Sequence, residues 1–414
     1  MSWRRSRPTY RPTFRRQGAQ AIAVVAGTMV GLLRTGGIDA IWAEDGQNFL
    51  TDALNRPWYE AIFTPFNGYF HVVARALWGL IALFPIEWAA ALNAGVDALV
   101  TSLLALGVYR AAAERVHRPG AVVIGVCAAL PMGFVPNALA QLQFPLVYAG
   151  LWMLLWRRTG PLTVGVPALA VLNSMLGVLL VPVAIGGLVR YRSREWAWKV
   201  LGLAPGAVLQ LVPMLTGATE RGLGERPEHD PVVLGEMYLR WGIPRSFLGT
   251  AWPDGRVLVV AGLAVPAALV AIALWRRDYQ ALRAAGVLGG FAALAGVVQL
   301  GAHGGVADRY LVLVSLPNIA AGVVLVGGRE PSRERAGCRQ GRTPFVVFAT
   351  LLVAVLAVDL RAAGPWDASP RWGEAVGRAR VECLVQPGSG RVSVHTARWP
   401  DLGWEAVLPC SRLR

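Results

Sequence analysis

The stretch Gly68–Phe84, GYFHVVARALWGLIALF, decides how the rest of the chain is laid out. It is apolar enough to be read as a membrane span, and reading it so reverses every loop that follows. Arg110, Arg115, Arg118, Arg157 and Arg158 would then face away from the cytoplasm, against the bias that keeps arginine and lysine in short cytoplasmic loops. Its aromatic neighbours Trp58, Tyr59, Trp78 and Trp88 suit the headgroup region. The sequence therefore predicts an interfacial helix lying on the outer leaflet.

Working outward, the 414-residue chain is 55% hydrophobic and 16% charged, where a soluble domain carries about a quarter charged residues. Its mean hydropathy is +0.46. Apolar runs recur at 18–34, 88–109, 119–135, 144–156, 161–173, 175–189, 200–216, 257–275, 284–301, 310–327 and 345–359. The expectation is an all-α polytopic membrane protein with about 11 transmembrane helices, within a range of about 9 to 13. Several runs fall short of the roughly 20 residues that cross a bilayer unaided, so the pairs 119–135/144–156 and 161–173/175–189 read as helical hairpins. The net charge of +15 sits mostly in the breaks between runs, which argues against nucleic acid and for a membrane.

The segment 1–17 is a basic tail with six arginines, too basic and long for a usual signal peptide, and no clear cleavage site follows it. With that tail in the cytoplasm, the inner breaks are 110–118, 157–160, 190–199, 276–283 and 328–344. With the six of the tail, these breaks hold 23 of the 40 arginines and lysines. Eighteen of the 25 acidic residues fall outside, with a nineteenth, Asp359, at the outer end of the last span. The layout is thus a transmembrane domain over 18–359, large outer loops at 35–87 and 217–256, and an extracytoplasmic C-terminal segment at 360–414. That segment is too short for an independent core without help. Cys383 and Cys410 both fall in it, on an oxidising side, which makes them a disulfide candidate. Cys127 lies in a span and Cys338 inside. GTMVG (27–31) fits the GxxxG packing pattern.

Candidate chemistry begins with Glu44 and Asp45 in IWAEDGQNFL (41–50), placed at the outer membrane surface. Two readings stand: Asp45 caps the helix starting DGQNFLTDAL, or one carboxylate faces a cleft while its neighbour caps. His71 and Arg75, four residues apart, share a helical face and form a natural phosphate site, or else snorkel to headgroups. In HGGVADRYLVL (303–313), Arg309 meets a phosphate or pairs with Asp308. Asn137, Gln141 and Gln143 in PNALAQLQFP (136–145) either bind a sugar or satisfy a kinked backbone. Asp97, four residues after Asn93, reads as a hydrogen-bonded packing site within a span. No GxxxxGK[ST], HExxH, CxxC or GxSxG occurs, so nucleotide hydrolysis, zinc proteolysis and serine hydrolysis lack support.

Taken in order, AEDGQNFL, NGYFHVVARAL, LLALGVYRAAAERVHR, LNSMLGVLLVPVAIGGLVRYR and DRYLVLVSLP resemble segments of the GT-C superfamily of membrane glycosyltransferases. The resemblance covers most of the chain as architecture and about 70 residues as motif-like sequence. The acidic motif here is Glu-Asp, where the family more commonly has Asp-X-Asp or a separated pair. The resemblance implies transfer of a sugar from a polyprenyl-phosphate donor to a glycan, lipid or protein acceptor of the cell envelope, at the outer face of the cytoplasmic membrane. It implies Asp45 or Glu44 as catalytic base, and Arg309, Arg75 and His71 as the groups that meet the lipid phosphate. Asn137, Gln141 and Gln143 are then sugar or acceptor contacts. No cofactor is assigned, and a divalent cation is left open. The competing readings are a membrane transporter or lipid flippase, and a catalytically inactive scaffold in envelope assembly.

Overall fold

The computed structural model describes residues 14–414 apart from 35–36, 134–136, 159, 217–227, 252–254, 306, 328–341, 362–368, 387, 389 and 397–402. The basic tail over 1–13 and the basic break carrying Cys338 lie outside the described residues. The chain is helical, with one two-stranded sheet. Its long apolar helices are α1 (Phe14–Leu33), α5 (Ala89–Ala112), α6 (Arg118–Ala129), α7 (Gln143–Leu155), α8 (Pro161–Asn173), α9 (Leu180–Tyr191), α10 (Arg194–Thr216), α13 (Arg256–Trp275), α14 (Tyr279–His303), α15 (Val312–Gly327) and α16 (Arg342–Asp359). Each expected span falls on one of them.

Among the described residues, four helical stretches are long and apolar enough to cross a membrane: Ile86–Ala112, Arg256–Trp275, Tyr279–His303 and Asp308–Gly327. α15 is buried at every residue from Val312 to Val326, as a helix apolar all round requires. α1 packs on α5, where a Cβ on Gly31 would stand 3.3 Å from the Ala98 methyl and one on Gly27 2.9 Å from Ser102 Oγ. The GTMVG pattern thus marks a real close approach.

Contacts between loops sort the helix ends into two groups. At one end, Arg34 Nη1 donates to the Pro131 carbonyl at 2.8 Å, Thr250 Oγ1 donates to Asp359 at 2.6 Å, and Arg245 pairs with Asp308. At the other, Arg158 pairs with Glu114 at 2.6 Å, Lys199 Nζ donates to the Leu154 carbonyl at 2.9 Å, and Arg276 Nη1 donates to the Val326 carbonyl at 3.1 Å. These are the same two sets that charge alone separated.

The first loop carries α2 (Thr51–Asn55), α3 (Trp58–Phe63) and α4 (Val72–Ile81). α4 is the helix expected over 68–84, but shorter. Asn67 and Gly68 take φ of 51° and 85°, forming a tight turn closed by the Phe66–Tyr69 bridge. The helix is also less superficial than expected, since Ala74, Arg75, Trp78 and Ile81 are buried against protein. Apolar area gains little by leaving lipid for protein, so the polar handle decides: the Trp78 indole finds its acceptor inside. The loop expected at 217–256 contains a continuous helical run, α11 (Pro231–Met237), a π turn (Tyr238–Gly242) and α12 (Ile243–Leu248). Asp230 caps it by accepting from the Val232 amide at 2.8 Å, with Pro231 at the first helical position.

The C-terminal segment forms α17 (Trp372–Val385) and the antiparallel strands β1 (Arg391–His395) and β2 (Glu405–Pro409). The alternating burial of Val392 and Val394, and of Ala406 and Leu408, turns one face of the pair inward. That face shares a single core with Ile41, Phe49 and Trp78 of the first loop. The help this short segment needed comes from that shared core and from a Cys383–Cys410 disulfide, with Cα atoms 5.6 Å apart.

Candidate functional site

Glu44 and Asp45 open a helix that runs through α2 to Asn55, with a π turn over Asp45–Leu50. Such turns concentrate at functional sites. Glu44 stands at the N-cap of the π turn and makes no side-chain capping bond, and the Asp45 carboxylate bonds outside its own helix. Its Oδ1 accepts instead from Trp78 Nε1 at 2.7 Å and from the Ala140 amide at 3.0 Å, tying three segments together. Its Oδ2 is buried and makes no hydrogen bond among the described residues. Complete burial pushes the Asp45 carboxyl well above the usual range; the Trp78 bond opposes this and the nearby charges of Glu44 and Asp97 add to it.

Glu44 faces another way. Its Oε1 lies 3.8 Å from Arg309 Nη1, while its Oε2 is buried without a hydrogen bond. Arg309 is held by aromatic rings: Nη2 donates to the Tyr310 hydroxyl at 2.9 Å, and the guanidinium stands 4.9 Å from the Tyr310 ring and 6.0 Å from the Trp42 ring. His303 stacks on Tyr310 with ring centroids 3.7 Å apart. Tyr69 closes the neighbourhood. Its hydroxyl donates to Gln143 Oε1 at 3.4 Å, an oxygen that also accepts from Ser174 Oγ at 2.8 Å. Burial raises the Tyr69 phenol, and the proximity of Tyr310 and Glu44 raises it further.

His71 and Arg75 do not form the expected cationic pair. His71 is buried among the rings of Tyr69, Phe49 and Phe66, with centroids at 4.4, 5.2 and 6.1 Å. Burial, helped by the Arg75 charge, brings it down to about 3, so it is neutral near pH 7. Among the described residues neither ring nitrogen has a hydrogen-bond partner. Arg75 is committed within the protein: Nη1 donates to Asp52 at 2.7 Å and to the Ala61 carbonyl at 2.9 Å, over the Phe49 ring.

At the tip over 137–143 the structure shows the backbone role of Asn137. Asn137 gives backbone contacts: its amide donates to Asp97 Oδ2 at 3.0 Å and its carbonyl accepts from Asn93 Nδ2 at 2.7 Å. Asp97 is accordingly a packing carboxylate, as its sequence context indicated. Gln143 reaches Tyr69, and Gln141 is buried with Oε1 unbonded. The structure thus assembles Glu44, Arg309, Tyr69, Tyr310 and Gln143, with Asp45 directly behind and Arg75 set apart.

Sequence reasoning missed Tyr69, Tyr310, Trp78 and Gln210. The two tyrosines stood beside residues already singled out. Gln210, a lone amide in an apolar run, is the kind of residue that marks a specific contact in a membrane helix. It holds the loop before α4, with Oε1 accepting from the Phe70 amide at 2.9 Å and Nε2 donating to the Phe70 carbonyl at 3.0 Å. Among the described residues no three of His, Cys, Asp and Glu converge as metal ligands. No family model matches this sequence, and no curated protein or solved structure matches it either.

Proposed function

We propose that this protein is an integral-membrane glycosyltransferase of the GT-C kind, crossing the cytoplasmic membrane with its site on the outer side. It would move a sugar from a polyprenyl-phosphate carrier to a cell-envelope acceptor. One observation carries the reading: Glu44 and Arg309, far apart in sequence, meet at 3.8 Å in an aromatic-lined setting. Lipid-linked transfer needs that combination. The acceptor hydroxyl attacks the anomeric carbon and forms a new C–O bond as its proton passes to a carboxylate. The bond from that carbon to the phosphate oxygen breaks, the electron pair stays on the phosphate, and a fixed cation offsets the growing charge.

The surroundings favour Glu44 as the base and Arg309 as the cation. Asp45, pushed toward its protonated form, is poorly suited to take a proton and well suited to orient its neighbour. His71, neutral, and Arg75, bound to Asp52, are better read as structural supports than as phosphate contacts. The enclosing polar atoms without partners, Glu44 Oε2, Asp45 Oδ2, Gln141 Oε1 and both His71 nitrogens, support a site that receives hydroxyl-bearing ligand or water, because a native core leaves few such atoms unpaired.

The test is turnover of labelled polyprenyl-phosphate sugars by purified wild type, Glu44→Gln and Asp45→Asn in parallel. Loss in Glu44→Gln with activity retained in Asp45→Asn is the expected result, since asparagine keeps the Oδ1 acceptor. The reverse pattern would move the base to Asp45. Wild type inert with every donor would remove the reading.

A further inference from the structure

The turn that carries Glu44 and Asp45 does not stand on its own hydrogen bonds. One hydroxyl links it to the C-terminal hairpin. Thr51 Oγ1 donates to the Gly46 carbonyl at 2.9 Å and accepts from the Val407 amide at 2.9 Å. The Val407 carbonyl in turn accepts from Asn55 Nδ2 at 2.8 Å. Val407 is the middle residue of β2, so the free edge of a two-stranded sheet is satisfied by helix side chains where a third strand would otherwise bind. A second contact lies at Gly46 itself, where an added Cβ would come within 2.3 Å of the Thr396 methyl. The hairpin therefore leans against the residue next to Asp45. Its far end is tied to α17 by the Cys383–Cys410 disulfide.

We infer that the C-terminal hairpin sets the conformation of the carboxylate turn, with Thr51 as the positioning residue that couples the two. A π turn is rare and occurs mostly as a single-turn bulge within an α-helix, and this one is braced by bonds from outside it. Thr51 supplies one from within the helix and one from β2. The consequence for turnover rests on the glycosyltransferase reading above; the coupling itself does not.

The experiment compares wild type, Thr51→Val, Thr51→Ser and the double variant Cys383→Ser with Cys410→Ser, all full length and in lipid nanodiscs. Amide hydrogen exchange over residues 43–52 is measured beside turnover of polyprenyl-phosphate sugar. Thr51→Val and the double variant should exchange faster over 43–52, with exchange in α14 and α15 unchanged. Their kcat should fall roughly 10- to 100-fold with KM little altered, as expected for misplacement of a catalytic group, and Thr51→Ser should restore both readouts. Exchange at the wild-type rate in both altered proteins overturns the inference whatever the turnover. Faster exchange with full turnover removes the positioning role, and failure of Thr51→Ser to restore removes the hydroxyl as its agent. Faster exchange in a protein inert toward every donor upholds the coupling while ending the glycosyltransferase reading.

Discussion

Glu44 and Asp45 are neighbours with nearly the same chemistry, yet their surroundings separate them. Asp45 exchanges water for one indole and one amide donor, too little to offset the burial of a charge. Glu44 keeps a guanidinium within reach. His71 shows the same physics with the opposite sign. An imidazole lowered from 6.5 to about 3 resists protonation in the folded state while the unfolded chain accepts it freely. Its contribution to stability is complete above the unfolded value and is lost as pH falls from about 6.5 toward about 3. The expected loss is about 2 kcal/mol by about pH 5. Thermal unfolding of wild type and His71→Asn across that range checks this: the acid limb should flatten in the variant, and parallel curves would sink the assignment. That His71 was worth attention was legible in the sequence. Its neutrality was not, because the rings of Phe49 and Phe66 that enclose it come from other segments.

α4 and the α2 helix form a unit held by one buried ion pair, Arg75 with Asp52, at 2.7 Å and with side chains 2% and 12% exposed. Removing Asp52 leaves the Arg75 charge buried without its carboxylate, at a cost of about 3–5 kcal/mol, whereas removing Arg75 leaves Asp52 a second partner in the half-exposed Arg56, at 2.8 Å. Asp52→Leu should therefore lower thermal stability by that order, and adding Arg75→Met should recover most of it. A single-variant shift under about 0.5 kcal/mol, the size of an ordinary surface substitution, would show that the pair does not hold the unit. The sequence set Arg75 beside His71 on one helical face and pointed both at phosphate. It could not reveal Asp52 as the partner, since that pairing depends on how α2 and α4 cross. The disulfide between α17 and the end of β2 closes a loop whose ends are 27 residues apart, adding about 3 kcal/mol by restricting the unfolded chain.

Among the described residues, the arginine-rich breaks gather at one end of the bundle, and the acidic first loop, α17 and the hairpin gather at the other. With the orientation proposed above, an impermeant thiol reagent should label Glu60→Cys on intact cells and Arg158→Cys only after permeabilisation, in a background with Cys127→Ala and Cys338→Ala. Labelling in the reverse order would invert the topology and remove the proposed site from the outer face. Composition and the spacing of apolar runs were enough to place every long helix, because the preference of a side chain for lipid or water acts locally along the chain. The two loop sets were likewise readable from the positions of arginine and acidic residues. The sharing of one core by the first loop and the C-terminal segment, and the meeting of Glu44 with Arg309, arose only on folding. So did the different surroundings of two adjacent carboxylates. Such contacts join segments hundreds of residues apart, and burial, which fixes the charge a group will carry, belongs to the assembled neighbourhood and to no single stretch of chain.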